Sequence, residues 1–375
     1  MRVTILGGGL VGRAVAYRLY TGCVFDEIVV ADISDENLRL VRKTCGDKVR
    51  VIKVDLLKNV EEAVSGSDVV SCALPGNISF EICRRVLRMG ISVVDSSYMP
   101  QNPFMLDELA KERNTVYVPD AGFAPGISNI LVGYFMQLAD ELENVGIYVG
   151  GLPIKPEGPL NHLVNWSLVD FIDEYLRPAR IIKNGEIIEV SPLEDLEKVK
   201  IKGREYEAFY TDGLRTLLRT VRAKNMFEKT IRYPGHLERM KFLAEIGLLG
   251  EEILDFDGIR IPARKVLEKL LRKHIYRPDM EDRVVLYVTA DGGGKQFEAY
   301  LEDEYDRSIH ISAMAKTTGF TNAIICEAVA EKIREKGVFP PEYIGMKYME
   351  YFKAKLCEHI PLSIMERKLV YDAEG

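Results

Sequence analysis

The first twelve residues constrain the fold of this chain more than any other stretch. Val3–Leu6 is a short apolar run typical of a buried strand, and an apolar pattern at helical spacing begins at Val11. Between them, glycines stand at the G-x-G-x-x-G spacing, at Gly7, Gly9 and Gly12. That spacing permits a tight turn, removes a Cβ from the path of a pyrophosphate, and lets the helix pack close to the strand. The stretch therefore predicts a strand–turn–helix whose free N–H groups and helix dipole hold the phosphates of a dinucleotide.

The acidic residue after the second apolar run indicates which dinucleotide is bound. Ile28–Ala31 leads into Asp32, which lies 20 residues beyond Gly12. A carboxylate at this place hydrogen-bonds the adenosine ribose hydroxyls and repels a 2′-phosphate, so the sequence favours NAD over NADP. The alternative is a glycine-rich turn without a ligand, and the strand, the helix and Asp32 together favour the ligand.

Residues 1–121 alternate apolar strand runs with helical patterns. Near-continuous apolar strands between helices are typical of a parallel sheet that is covered on both faces. We therefore expect an α/β fold in which a Rossmann-type, doubly wound parallel sheet of six strands forms a dinucleotide-binding domain. The six strand runs are Val3–Leu6, Ile28–Ala31, Val49–Val54, Val69–Cys72, Ile91–Val94 and Val116–Val118.

Ligands bind beyond the carboxyl ends of the strands in such a sheet, so the residues that follow each strand are candidate contacts. The last two strand ends are expected to meet where a nicotinamide lies, which makes Tyr98 and Asp120 candidates for the substrate site. Asp95 is equally well explained as a cap of its own loop. We expect Asp55 to contact the adenine amino group. The predicted cofactor contacts are Gly7, Gly9, Leu10, Val11, Gly12, Asp32, Asp55, Leu56, Ala73, Leu74, Pro75 and Ser96.

Residues 122–312 mix helical and strand patterns, which indicates a second, α+β domain that binds the substrate. Its first helix, over residues 125–140, is expected to pack on the Rossmann sheet, and residues 313–375 are expected to return to the dinucleotide domain as C-terminal helices. Two hairpins are predicted, one turning at Asn184-Gly185 and one turning over the five residues 291–295. The glycines of that second loop lack the spacing of a phosphate-binding loop.

Composition excludes several classes of protein. A formal net charge of −7 argues against nucleic-acid binding, and the absence of an apolar run of about 18 residues argues against a membrane span. The six cysteines form no C-x-x-C pair and the five histidines no H-x-x-x-H pair, so no metal site and no disulfide framework are predicted. The chain opens directly into a strand, which predicts a cytoplasmic protein without a signal peptide.

Polar residues interrupt an apolar stretch at Arg232-Tyr233-Pro234-Gly235-His236. The planar guanidinium of Arg232 suits a carboxylate, and His236 is of a type that titrates near neutral pH. A surface ion pair for Arg232 and a packed imidazole for His236 are the alternatives that residue type alone favours.

The chain resembles the saccharopine dehydrogenase-like family, and within it the lysine 6-dehydrogenase type. The Ala124–Asn129 and Arg232–His236 runs carry the resemblance most specifically. The other matching runs are Gly7–Gly12, Ala73–Gly76, Asp95–Tyr98, Asp120–Phe123, Gly150–Pro153, Glu207–Leu214 and Met314–Gly319.

The resemblance implies a dinucleotide domain and an α/β substrate domain whose sheet commonly mediates dimerisation, hence a homodimer. It implies NAD-linked oxidation of an amino-acid amine. Saccharopine-cleaving relatives usually show Asp-Pro-Gly where this chain has Ala124-Pro125-Gly126, which favours oxidation of the ε-amine of L-lysine to 2-aminoadipate 6-semialdehyde.

Two alternatives remain open at this point. One is a reductase that condenses an amine with an aldehyde, as in saccharopine or carboxynorspermidine formation, using NAD(P)H. The other is a non-catalytic nucleotide sensor, against which the titratable groups at the last two strand ends argue.

A lysine substrate carries an ammonium with a pKa of about 10.4, and hydride leaves only once the nitrogen lone pair is free. The site must therefore accept a proton. We expect Asp120 or His236 to be the base, Tyr98 to position the amine, and Arg232 to anchor the α-carboxylate.

Overall fold

The strands and helices lie as follows in a computed structural model, which describes residues 1–368. The strands are β1 (Arg2–Leu6), β2 (Glu27–Asp32), β3 (Arg50–Lys53), β4 (Val69–Cys72), β5 (Ser92–Asp95), β6 (Val116–Val118), β7 (Leu142–Pro153), β8 (Ala179–Lys183), β9 (Glu186–Val190), β10 (Glu197–Ile201), β11 (Arg204–Tyr210), β12 (Ala223–Arg232), β13 (Ile253–Phe256), β14 (Ile259–Pro262), β15 (Asp282–Gly292), β16 (Lys295–Glu304), β17 (Gly337–Val338) and β18 (Leu362–Lys368). The α-helices are α1 (Leu10–Gly22), α2 (Asp35–Cys45), α3 (Leu56–Val64), α4 (Gly76–Arg88), α5 (Asp107–Glu112), α6 (Ile127–Ala139), α7 (Leu168–Asp173), α8 (Leu217–Thr220), α9 (His236–Glu245), α10 (Ala263–His274), α11 (Ala313–Glu331) and α12 (Pro341–Cys357).

The chain divides into two compact units, and it passes between them more than once. The first unit holds Met1–Asp140, Arg215–Val221 and Tyr305–Leu362. The second holds Glu141–Leu214, Arg222–Glu304 and residues 363–368. The last part of the predicted C-terminal segment, residues 369–375, lies outside the described residues.

The first unit is built on a parallel sheet of seven strands in the order β17-β6-β5-β4-β1-β2-β3. Its inner strands are mostly buried and apolar because helices cover both faces, as predicted for a doubly wound fold, whereas the edge strand β3 is partly exposed. The order reverses between β1 and β4, and ligands bind at such a switch point. The six predicted strands are confirmed to within two residues at each end, whereas β17 is too short to leave a pattern in the sequence.

Two helices of the first unit approach each other at backbone distance. A Cβ on Gly133 of α6 would lie 2.0 Å from the carbonyl oxygen of Glu342, and one on Gly345 of α12 would lie 1.8 Å from that of Ile130. Only glycine fits at these two positions. The first turn of α12, which carries Glu342, is thereby held against α6.

The second unit is built on a mixed sheet of nine strands, with β10-β11-β12-β7-β15-β16-β18 in order and β8 and β9 joined through β12. β12 runs parallel to β7 and antiparallel to β11 and β8. The hairpin at Asn184-Gly185 is confirmed, with Lys183 paired to Glu186.

One predicted boundary in this unit is wrong. The loop 291–295 is a two-residue turn, because Gly293 and Gly294 take φ of +57° and +72° and let Gly292 pair with Lys295. β7 runs through Gly150 and Gly151 to Pro153, since β15 pairs with it as far as that residue.

Among residues 1–368, no helix is both long enough and apolar enough to cross a membrane.

Candidate functional site

The glycine-rich turn has the geometry that dinucleotide binding requires. Gly7 takes a φ of +95°, and a Cβ on it would lie 2.5 Å from the carbonyl oxygen of Ala73. A Cβ on Gly12 would lie 1.8 Å from the carbonyl oxygen of Gly7. A Cβ on Gly9, at the N-cap of α1, would meet no protein atom within 4 Å. The turn is thus tightly packed around Gly7 and Gly12 but open beside Gly9, where a pyrophosphate fits.

Asp32 is fixed at the end of β2 by three hydrogen bonds. Its Oδ2 accepts from the backbone N–H of Gly8 at 2.6 Å and from Asn37 Nδ2 at 3.1 Å, and its Oδ1 accepts from the N–H of Ser34 at 2.7 Å. The side chain is 8% exposed. These bonds hold a carboxylate beside the glycine-rich turn, as the sequence predicts.

The surface around Asp32 is acidic. Asp35 and Glu36 open α2, and the nearby cations Lys53 and Arg39 pair with these two residues, respectively. A 2′-phosphate at this end of β2 would therefore meet Asp32 and cations that already have carboxylate partners.

The other predicted cofactor residues fall at the carboxyl edge of the same sheet. Ser96 ties the ends of β4 and β5 together, because its N–H and hydroxyl both donate to the carbonyl of Cys72, at 3.0 and 3.1 Å. Asp55 caps α3 by accepting from the N–H of Leu57 at 3.1 Å, so its predicted contact with adenine stays a prediction. Leu56 is buried, Leu10 and Pro75 are exposed, and Val11, Ala73 and Leu74 lie half-buried.

Arg215 brings the two predicted substrate residues of the first unit together. Its Nε donates to the carboxylate of Asp120, at 3.2 Å to Oδ1 and 3.4 Å to Oδ2. Its guanidinium lies 4.5 Å from the centre of the Tyr98 ring. Asp120 is 1% exposed, so the pair is largely withdrawn from water. A carboxylate, a guanidinium and a phenol ring therefore stand side by side at the ends of β5 and β6.

Both members of this ion pair have unusual backbone conformations. Asp120 takes a φ of +52° and Arg215 a φ of +53°. A left-handed conformation costs a non-glycine residue on the order of 1 kcal/mol, and such residues cluster at functional sites. The surrounding structure must therefore hold both residues in place.

A buried hydrogen-bond network lies next to Arg215. Asn129 Nδ2 donates to Thr216 Oγ1 at 3.2 Å, and Thr216 Oγ1 donates to Glu342 Oε2 at 2.9 Å. Thr220 Oγ1 contacts Glu342 Oε1. Burial raises the pKa of Glu342 to about 7, and the charge of Asp120 adds to the increase.

Asp95 is a structural residue of its loop. Its carboxyl accepts from the N–H of Ser97 at 2.8 Å and from Tyr117 Oη at 3.3 Å, and burial raises its pKa. The ligand atoms of Asp95, Cys72 and Cys83 all lie within 4.8 Å of one another, a grouping that sequence spacing did not predict. Burial raises the pKa of the Cys83 thiol, which donates to Asp95 at 3.4 Å. Protonated thiols are poor metal ligands, so the grouping is better explained as core packing.

Arg232 and His236 belong to a buried relay in the second unit. Arg232 Nη2 pairs with Glu174 at 2.6 Å, and its Nε donates to Tyr175 Oη at 3.3 Å. His236 Nδ1 lies 2.7 Å from the carbonyl oxygen of Leu160, which only accepts, so Nδ1 carries the proton. Nε2 therefore accepts from Tyr175 Oη at 2.7 Å.

These contacts contradict the expected titration of His236 and change the role expected for Arg232. Burial, with the nearby Arg232 charge, lowers the pKa of His236 to about 3, so the expectation that it titrates near neutral pH is wrong. Arg232 is neither a surface residue nor free for a ligand carboxylate, because Glu174 already occupies its outer edge. The predicted catalytic residues thus fall into a Tyr98–Asp120 group in the first unit and an Arg232–His236 group in the second.

Sequence reasoning missed Arg215, Thr216 and Glu342. The matching run that carries the resemblance stops at Leu214, one residue before Arg215. The polar residues just before Arg215 were the sequence feature that could have indicated its role. Glu342 lies in the charged tail and has no local signal, because its environment is created by α6 and the Arg215–Val221 segment.

Comparison with known proteins agrees with this geometry. A family model described as the saccharopine dehydrogenase NADP binding domain matches residues 3–118, and one described as the saccharopine dehydrogenase C-terminal domain matches residues 122–360. The apo histidine-tagged saccharopine dehydrogenase (L-Glu forming) from Saccharomyces cerevisiae superposes with a TM-score of 0.79 at 19% identity, covering 98% of this chain and 99% of that chain. At that identity the likeness shows a shared fold.

Curated relatives match over part of their length. Saccharopine dehydrogenase (NADP+, L-glutamate-forming) of Saccharomyces cerevisiae is 26% identical over 287 residues, which are 72% of this chain and 63% of that protein. Alpha-aminoadipic semialdehyde synthase, mitochondrial, of Rattus norvegicus is 21% identical over 277 residues, which are 67% of this chain and 29% of that protein. The chain thus spans less than two thirds of either relative. The two family models together take in both the glycine-rich turn and the Arg215 segment, and this chain belongs to the saccharopine dehydrogenase family.

Proposed function

We propose that the chain is an NAD-dependent amino-acid dehydrogenase that oxidises a carbon bearing an amine nitrogen. The observation that carries the proposal is the Asp120–Arg215–Tyr98 group at the carboxyl edge of a sheet whose glycine-rich turn is open above Gly9. A nucleotide sensor needs no such group of charged residues at these strand ends.

The residues of the first unit fit a pyridine dinucleotide. Gly7, Gly9 and Gly12 would cradle its pyrophosphate and Asp32 would bind its adenosine ribose. When bound, the dinucleotide supplies a hydride acceptor at its nicotinamide ring. The matching family model and the yeast relative are named for NADP, but the carboxylate of Asp32 and its acidic surroundings favour NAD.

Asp120 and Arg215 have different roles towards the substrate. The carboxylate of Asp120 attracts the substrate ammonium and accepts its proton, directly or through a water, which frees the nitrogen lone pair. The guanidinium of Arg215, braced on the Tyr98 ring, holds Asp120 in place and offers a cation to a substrate carboxylate. We assign Arg232 and His236 to the internal structure of the second unit, because their polar atoms are engaged there.

The first substrate candidate is L-lysine, whose ε-carbon would lose a hydride to the dinucleotide and give an imine that water hydrolyses to 2-aminoadipate 6-semialdehyde and ammonia. Ala124-Pro125-Gly126 supports it, since saccharopine-cleaving relatives usually carry Asp-Pro-Gly there. The second candidate is saccharopine-type chemistry on a secondary amine, which the printed names of the relatives favour. Both candidates use the same proton acceptor and differ in the bulk carried by the nitrogen.

A substrate panel tests the proposal. The protein is incubated with NAD or NADP and with L-lysine, saccharopine or L-ornithine, and reduced nicotinamide is followed by absorbance. We expect turnover with NAD and lysine that Asp120→Asn abolishes. Asp140→Asn is the matched control, because Asp140 also takes a positive φ, of +63°, and is exposed at the end of α6. Turnover with saccharopine alone would support the second candidate, and no turnover with any pair would contradict both.

A further inference from the structure

We propose that Glu342 is a positioning residue that holds the Arg215–Val221 segment, and with it Arg215, in the reactive arrangement. This inference rests on the proposed function, in which Arg215 and Asp120 form the substrate site. Glu342 lies at the start of α12, more than a hundred residues along the chain from the segment that it holds.

The carboxyl of Glu342 spans the segment from end to end. One oxygen accepts from Thr216, next to Arg215, and the other contacts Thr220, at the far end of α8. Glu342 is 0% exposed. Its backbone is pressed against Gly133 of α6, so the carboxyl has little freedom to follow a moving segment.

Arg215 needs such an anchor because its own backbone does not favour the observed conformation. A φ of +53° persists only where neighbours determine it. Thr216, the next residue, is held twice, by Asn129 Nδ2 and by Glu342. These two bonds fix the peptide that sets the direction of the Arg215 side chain.

Counting hydrogens indicates that Glu342 acts as a neutral acid. Thr216 Oγ1 gives its only hydrogen to Glu342 Oε2 and accepts from Asn129. Thr220 Oγ1 has one hydrogen and two neighbouring acceptors, the carbonyl oxygen of Thr216 at 3.0 Å and Glu342 Oε1. A proton on Glu342 Oε1 lets Thr220 donate to that carbonyl and accept from Glu342, so that both contacts of the hydroxyl are made at once. All four contacts are complete when the carboxyl is protonated, and burial supports that state.

Charged groups on the neighbouring elements are consistent with a neutral carboxyl. The charge of Asp120, which follows β6, helps to raise the pKa of Glu342. The segment itself carries Arg215, which is paired with Asp120, and Arg219, whose guanidinium lies 5.8 Å from the Phe104 ring. The residues of α6 that contact Thr216 and Glu342 are Asn129 and Gly133, and both are uncharged.

Glu342→Gln and Glu342→Ala separate positioning from mere packing. A glutamine amide accepts from Thr216 through its oxygen and donates to Thr220 through its nitrogen, so Glu342→Gln keeps all four contacts. Alanine keeps none of the side-chain contacts. Glu350→Gln, on an exposed turn of the same helix, is the matched control.

Hydrogen exchange over residues 216–221 is the readout that does not depend on activity. These amides bond within the segment, as in Arg219 N–H to Thr216 O at 2.9 Å. We expect Glu342→Ala to raise their exchange about tenfold or more, with amides of the parallel sheet unchanged, and Glu342→Gln to leave them as in the wild type. Should Glu342→Ala fail to fold, Thr220→Val removes one end of the span and is expected to raise exchange in the same peptide.

Kinetics provide the second arm. We expect kcat/KM to fall about 10- to 100-fold in Glu342→Ala and to be restored in Glu342→Gln. Unchanged exchange in Glu342→Ala and Thr220→Val, or a Glu342→Gln variant as impaired as Glu342→Ala, would overturn the inference. If wild type and variants all lack turnover while exchange follows the expectation, the proposed function fails and the positioning role of Glu342 stands.

Discussion

The guanidinium of Arg215 lies 4.5 Å from the centre of the Tyr98 ring while its Nε donates to Asp120 at 3.2 Å. One side chain therefore joins the residues that follow two neighbouring strands. A planar cation suits this arrangement because it can lie over the ring while its Nε meets the carboxylate.

Arg215→Lys tests this geometry. A lysine ammonium is a point charge and cannot present a face and an edge together, so we expect kcat/KM for the amino-acid substrate to fall about 10- to 100-fold. Steady-state kinetics with saturating dinucleotide measure the effect. Arg219→Lys, at an exposed position of the same segment, is the matched control and is expected to keep its rate. Equal rates for Arg215→Lys and the wild type would remove Arg215 from the site.

Asp32→Ser tests the choice of dinucleotide. Removing the carboxylate removes its repulsion of a 2′-phosphate and a bond to the ribose, so we expect the NADP-to-NAD ratio of kcat/KM to rise about tenfold or more. The comparison is made with both dinucleotides on one preparation. Asp47→Ser, at an exposed position after the C-terminal end of α2, is expected to leave the ratio near that of the wild type. A wild-type protein that prefers NADP would contradict the argument from Asp32 outright.

Glu342→Gln tests the protonation of the buried carboxyl through the pH dependence of the free energy of unfolding. The folded-state pKa of about 7 lies above the ordinary value of 4.5, so the folded protein binds more protons between these pH values. Wild-type stability is therefore expected to fall as pH rises from about 4.5 to 7, by up to about 3 kcal/mol from this residue. Denaturant unfolding at several pH values measures this loss, which Glu342→Gln should lack and Glu350→Gln should retain.

Arg232→Lys tests the relay in the second unit. Three separate bonds, to Glu174, Tyr175 and the carbonyl of Ile231, use the guanidinium, and an ammonium cannot reproduce their directions. We expect a loss of about 1–3 kcal/mol of unfolding free energy, measured by denaturant titration. Arg239→Lys, exposed on α9, is the control. A stable Arg232→Lys protein with a raised KM would instead support the carboxylate-anchor role that the sequence suggested.

The protonation state of His236 is a separate prediction. Its folded-state pKa of about 3 lies below the ordinary 6.5, so the unfolded chain binds the extra proton and this contribution to stability is lost as pH falls from about 6.5 towards 3. Nitrogen NMR of labelled histidine is expected to show a neutral ring with its proton on Nδ1 throughout pH 5 to 8 (about the range accessible to the folded protein). A titration midpoint near neutral pH would contradict the relay.

The sequence predicted what local patterns determine. The glycine spacing, the apolar strand runs and Asp32 identified the parallel sheet and its turn, because each depends on neighbours close in sequence. The rule that ligands meet strand ends predicted Tyr98 and Asp120 as substrate-site residues, and both lie beside Arg215.

What the sequence did not predict depends on contacts between distant segments. Arg215 joins the first unit from the middle of the chain, and Glu342 reaches it from the C-terminal helix. His236 has the residue type of a titrating group, and only the packing of Tyr175 and Leu160 around it lowers its pKa. The homodimer and the cytoplasmic location stay predictions.

Deuterium transfer tests the central claim most directly. Lysine with both hydrogens of its ε-carbon replaced by deuterium is incubated with NAD and the wild-type protein, and the reduced dinucleotide is analysed by mass spectrometry. The account predicts one deuterium in each reduced dinucleotide, a slower rate than with unlabelled lysine, and no product from Asp120→Asn. Reduced dinucleotide without deuterium, or an Asp120→Asn variant as active as the wild type, would contradict it.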